Sequence, residues 1–102
     1  MEGTLELGGN IALTGFNEVD RGEMVVVKKI VGNYAKKFSE AYSDFQKLSL
    51  TMKSVHKTEG SQKYEMHSML VLGGNQHTSE TTDRNLFIAL DTVLKGIEKS
   101  VK

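Results

Sequence analysis

Apolar residues recur along this chain in two distinct periods, and the change from one to the other divides it into elements. Thr4-Leu5-Glu6-Leu7 and Asn10-Ile11-Ala12-Leu13-Thr14 keep apolar side chains at odd positions. That is the period of two of a half-buried strand. Gly8-Gly9 between them predicts a bulge or bend within one strand. From residue 21 to 42 the period becomes helical: Met24, Val27, Ile30, Val31, Tyr34, Phe38 and Ala41 fall on one stripe. Asp20-Arg21-Gly22-Glu23 precedes this stripe as a capping-box pattern, an acceptor with glutamate three residues on.

The period of two returns at Leu48-Ser49-Leu50-Thr51-Met52-Lys53 and again from Tyr64 to Leu72, with the polar segment 58–62 as a hairpin loop. Gly73-Gly74-Asn75 predicts the next turn, and residues 76–81, rich in threonine and serine, a short last strand. Leu86, Phe87, Leu90, Val93, Leu94, Ile97 and Val101 form a second helical stripe, with Thr82 or Asp83 as its cap. Gly96 interrupts this helix and costs about 1 kcal/mol relative to alanine, which suits close approach of the neighbouring helix.

The expected fold is therefore α+β in the order β-α-β-β-β-α, residues 1–102 forming a single domain with both helices on one face of a four-stranded sheet. The other face would carry Lys47, Ser49, Thr51, Lys53, Lys63, Glu65, His67, Met69 and Val71, mostly polar, as an antiparallel sheet open to water should be. Met69 and Val71 are its apolar exceptions, a small exposed patch read either as self-association or, in preference, as the scattered apolar residues normal on a surface.

Composition narrows the chemistry. Among 102 residues there is no cysteine, which excludes disulfides, thiolate nucleophiles and zinc-thiolate sites. Apolar runs fall short of a membrane span, and Met1-Glu2-Gly3-Thr4 lacks the features of a signal peptide, so the expected compartment is the cytoplasm, with no membrane partner. No serine or threonine has histidine and carboxylate partners in a recognisable motif, so an enzyme is not expected. His56, His67 and His77 invite a metal reading, but placed on separate strand positions they are too dispersed to share an ion; neither metal nor cofactor is expected.

Formal net charge is zero, yet its distribution is uneven. Residues 1–23 carry five acids against Arg21, and residues 24–57 carry seven lysines against Glu40 and Asp44. On the helices, Lys29 and Lys36 lie opposite the first apolar stripe, Lys28 and Lys37 on its flanks, and Lys95 and Lys99 on the far side of the second. Lysine turned outward on an amphipathic helix serves solubility in many proteins, and near a C-terminus it also opposes the helix dipole.

The element order, with Tyr34-Ala35-Lys36-Lys37-Phe38 in the first helix and Asn85-Leu86-Phe87-Ile88-Ala89-Leu90-Asp91 in the last, resembles the short ribosome hibernation promoting factors, the ribosome-associated translation inhibitor family. The resemblance extends over nearly the whole chain. It implies a β-α-β-β-β-α domain with two parallel helices, a member of a class that binds small-subunit ribosomal RNA near the decoding region. Lys36 falls at the lysine of the family's Ala-Lys-Leu pattern. Leu86, Phe87, Ala89, Leu90 and Asp91 fit its Asp-Leu/Met-Tyr-x-Ala-Ile-Asp segment, in which Asn85 replaces the first aspartate. Lys99 stands for the arginine of the following Lys-Leu-x-Arg-Gln-Leu, Gly96 replaces its lysine with Lys95 beside it, and the family's basic tail has no counterpart in residues 100–102.

Two readings follow. In the first, Lys28, Lys29, Lys36, Lys37, Lys95 and Lys99 bind RNA phosphates, and the protein regulates translation by occupying a site on the small ribosomal subunit. In the second, the domain is a protein interaction module or homodimer using the open sheet face or a strand edge.

Overall fold

In the computed structural model, which describes residues 4–57 and 61–101, two glycines in succession turn the chain back on itself near its start. Gly8 and Gly9 have φ of 66° and 81°, the left-handed region where a side chain is strained. The expected single first strand is therefore two: β1 (Thr4–Leu7) and β2 (Ile11–Thr14), antiparallel, with Leu7 opposite Ile11. The sheet has five strands, not four.

Helix α1 (Arg21–Ala41) follows, and Asp20 caps it: its carboxylate accepts from the amide nitrogens of Gly22 at 3.0 Å and Glu23 at 3.4 Å. The chain then runs through β3 (Phe45–Lys57), β4 (Ser61–Leu72), β5 (Asn75–Asp83) and α2 (Leu86–Val101). The strands lie in sequence order, with β2 and β3 parallel and every other neighbouring pair antiparallel. Helix α1 is the crossover that a parallel pair requires. Residues 58–60 of the expected hairpin loop lie outside the described residues. The last strand runs from 75 to 83, longer than expected, and so moves the cap of α2 beyond Thr82 and Asp83 to Asn85. Asn85 Oδ1 accepts from the amides of Phe87 and Ile88 at 2.9 and 3.1 Å, and Asp83 in turn accepts from the Asn85 amide.

The register sorts side chains by face. Leu13, Leu50, Ser68 and Ser79 fall in one row, and Leu48, Leu70 and His77 in the next. With Ile11, Met52, Met66 and Leu72 they form the side on which both helices lie. Val27, Val31, Ala35 and Phe38 of α1 and Leu86, Ala89, Leu90, Val93, Leu94 and Ile97 of α2 are buried there, in one cluster with the sheet. Both helices thus cover one face, and the centres of the expected stripes are buried, whereas Met24, Ile30, Tyr34, Phe87 and Val101 are only half-buried and Ala41 is exposed.

Small residues set the height of α2. Ser68, the one buried polar side chain among the described residues, donates its hydroxyl to the Val93 carbonyl at 3.4 Å. Beside it, Gly96 meets Ser79: a Cβ there would stand 2.1 Å from Ser79 Oγ and 3.1 Å from Ser79 Cβ. The close approach that Gly96 permits is thus to strand β5, not to the neighbouring helix. Gly15, at φ 83°, passes equally near β3, where a Cβ would lie 2.1 Å from the Met52 carbonyl oxygen.

Candidate nucleic-acid interface

Because β2 and β5 run in the same sense and each is followed by a helix returning over the sheet, α1 and α2 are parallel neighbours. Their seam carries the charged side chains. Lys37 Nζ forms an ion pair with Glu98 and stands 5.7 Å from the centre of the Tyr34 ring, while Lys95 pairs with Asp91 one turn away at 3.1 Å. All four charges act on the Tyr34 phenol. Burial first, then Asp91 and Glu98, push its pKa up against the opposing pull of Lys37 and Lys95. The hydrogen bond to Glu98 raises the Lys37 pKa, and that to Asp91 raises that of Lys95.

The six lysines singled out from the sequence therefore occupy three places. Lys37 and Lys95 converge on the seam. Lys29, Lys36 and Lys99 stand on the outer crests, exposed and without an ion pair to any described residue. Lys28 turns toward the far flank of α1, where with Arg21 it edges a hollow of about 600 Å³ floored by Leu5, Leu13, Phe16 and Met24. The outer crest of α1 thus carries Lys29 and Lys36, with Glu40 one turn beyond, and that of α2 carries Lys99, with the mixed-charge seam between them. On α1 alone five bases, counting Arg21, stand against Glu23 and Glu40.

Sequence reasoning assigned Tyr34 to the core stripe and missed its place at the seam. The signal was there: Tyr34 and Lys37 are three residues apart at the stripe's margin, so both share a helix flank. Asp91 and Glu98 were not singled out from the sequence as seam residues, although their spacing of seven residues puts both on the flank that meets α1. The apolar residues most exposed among those described are Leu5, Val25, Val26 and Ile88, three of them on the helices. Met69 and Val71, expected as an exposed patch, are half-buried among their strand neighbours.

The open sheet face differs in character. Thr4, Thr14, Thr51, His67 and Glu80 form one row across it, and Ala12, Ser49, Met69 and Thr78 the next. His67 lies between two carboxylates, 3.5 Å from Glu65 and 3.2 Å from Glu80. His77 belongs to the opposite, helix-covered side, since it pairs with Leu70. His56 pairs with Gln62, five residues before His67 on β4, which sets it far along the sheet from His67. Among the described residues no group of histidine and carboxylate side chains is arranged to hold a metal ion, and no helix is long and apolar enough to cross a membrane. Compared with family models and with curated proteins, the chain matches none.

Proposed function

We propose that this protein is a ribosome-associated regulator of translation that binds structured RNA of the small subunit through the exposed face of its two helices. One observation carries the reading: Lys29, Lys36 and Lys99 project from adjacent crests of one rigid layer with no carboxylate partner among the described residues, although the chain as a whole is neutral. Cations so placed are available to phosphates, and parallel helices hold them at fixed spacing. Lys28 extends the surface along α1. Lys37 and Lys95 join it by exchanging Glu98 and Asp91 for phosphate, so they contribute less net attraction than the unpaired lysines.

Such a surface reads shape and backbone, not base sequence. No arginine fork lies on the crests, and the nearest ring, Tyr34, is half-buried in the seam. Regulation then follows from occupancy alone and needs no chemistry on the RNA. If about five phosphates are neutralised, log affinity against log salt has a slope near −4, and a rise from about 50 to 200 mM salt weakens binding by roughly two to three decades.

Co-sedimentation of the purified protein with small ribosomal subunits at low and high salt tests this. The parent should co-sediment at low salt and be released at high salt. Lys36→Glu with Lys99→Glu should abolish binding while leaving the circular dichroism and unfolding midpoint near those of the parent, because both side chains are exposed. Failure of the parent to co-sediment at low salt, or undiminished binding by the folded double variant, would overturn the proposal.

A further inference from the structure

The outer edge of β5 is the longest stretch of unpaired backbone in the sheet. Leu72 and Asn75 flank a two-residue turn in which Gly73 and Gly74 both have positive φ, 55° and 86°, the combination of a type I′ hairpin. In such a hairpin the flanking residues exchange hydrogen bonds, and bonded and non-bonded pairs then alternate along the ladder. His77, Ser79, Thr81 and Asp83 therefore bond to β4. The N–H and C=O groups of Gln76, Thr78, Glu80 and Thr82 point outward, past the last strand of the sheet. All four residues are exposed.

Folded proteins guard such edges with lysine, proline, bulges or short strands. This edge has none of these: it runs for 9 residues with no shift of register against β4 and contains neither lysine nor proline. The opposite edge, β1, is only 4 residues long. Above β5 lies α2, and its flank turned away from α1 carries Thr92, Gly96 and Ser100, by helical spacing a slim side bordered by Lys99.

We infer that a second copy of this chain pairs antiparallel along β5, about a two-fold axis at Ser79, so that the two sheets become continuous and the two α2 helices lie side by side. In this register Thr78 faces the partner's Glu80, Gln76 faces the partner's Thr82, and every outward backbone group of the four edge residues finds its complement. A register centred on Glu80 would set that carboxylate against its own copy, which is unfavourable. A two-fold axis also brings one slim α2 flank against the other at the roughly 8 to 10 Å of packed helices, which a foreign strand would not do. Zero net charge leaves no overall repulsion between copies. An edge about 30 Å long and two layers, roughly 20 Å, deep buries on the order of 600 Å² per copy, the lower end of specific interfaces, so the dimer is weak. The pairing uses an edge away from the α1–α2 seam and holds whether or not the protein binds RNA.

Sedimentation equilibrium of the purified protein over a concentration series tests the register directly. The parent should dimerise with a dissociation constant in the range of about 1 to 100 μM. Thr78→Lys places lysine opposite Glu80 twice and should tighten the dimer about 3- to 30-fold, whereas Thr78→Glu opposes like charges twice and should loosen it by a similar factor. Thr78→Pro removes an outward donor that the monomer does not use and should leave a folded monomer. A parent that stays monomeric to about 500 μM, lysine and glutamate variants that shift in the same direction, or a dimer that survives Thr78→Pro would each overturn the inference.

Discussion

Replacing Gly96 by alanine should destabilise the protein, although the same change in an ordinary helix interior stabilises by about 1 kcal/mol. The new methyl group would stand 2.1 Å from Ser79 Oγ and 3.1 Å from Ser79 Cβ. The hydroxyl can swing to another rotamer, but the Cβ is fixed to the backbone of β5. Helix α2 must then rise from the strand by a few tenths of an ångström, loosening Val93 and Ile97, which are fully buried. Overpacking of this kind costs about 1 to 3 kcal/mol, so after the propensity gain the net loss is about 1 kcal/mol. Gly32 in α1 is the control: a Cβ there meets nothing within 4 Å, and Gly32→Ala should stabilise. Urea unfolding read as a shift of midpoint at constant slope gives both values. With Ser79→Gly in the background, which removes that Cβ, the overpacking cost of Gly96→Ala should largely vanish, a coupling of about 1 to 2 kcal/mol. Stabilisation by Gly96→Ala in the parent, or a coupling below about 0.3 kcal/mol, would refute the account of why this glycine is needed.

Three further outcomes follow from burial, backbone and charge. Phe38→Ala should cost about 3 to 5 kcal/mol in urea unfolding, since Phe38 is 1% exposed, and Phe87→Ala about half as much because that ring is only half-buried; equal losses would contradict the structure. Gly15→Ala combines a left-handed backbone with a Cβ at 2.1 Å from a main-chain oxygen and should cost more than about 3 kcal/mol, to be compared by the same measurement with a parent-like value that would refute it. Burial, with Asp91 and Glu98 secondary, raises the folded pKa of Tyr34 above its ordinary value of about 10, so the stability it contributes is complete below about pH 10 and is lost as pH rises through the folded pKa. Tyr34→Phe should flatten the decline of the unfolding midpoint above about pH 10, and an unchanged decline would count against the seam geometry.

Much of the fold was legible because local rules and burial agree. The Asp20 cap, the α1 span and the β3–β5 meander follow from side-chain pattern alone. The β1–β2 turn did not, for a definite reason. Leu7 and Ile11 are four residues apart, an even step, so a continuous strand and a hairpin place both on the same face, and periodicity cannot separate them. The cap candidates Thr82 and Asp83 likewise set the start of α2 too early, because the pairing of Tyr64 with Asp83 extends the strand over both. For the candidate surface, helical spacing placed Lys29, Lys36 and Lys99 outward, as they lie. It could not place Lys28 on the far flank of α1 and Lys95 at the seam, because the choice of neighbour for each flank is tertiary.

The parallel pairing of β2 with β3 bears on how the chain comes to be folded. Ile11 and Leu48 are 37 residues apart, and bringing them together costs roughly 3 kcal/mol of chain-closure entropy before any contact is gained. The segment from β3 through α2 needs no such closure, since β3, β4 and β5 pair antiparallel in sequence order and α2 folds back on β4 and β5. Rates follow sequence separation, so this C-terminal meander should order first and serve as the template on which the β1–β2 hairpin and α1 dock. Gly15 sits where that docking crosses the β3 backbone, and its missing side chain lets the late segment close without lifting the strands already in place. Amide protons of β3 and β4 should then be the slowest to exchange, and those of β1 the first to open.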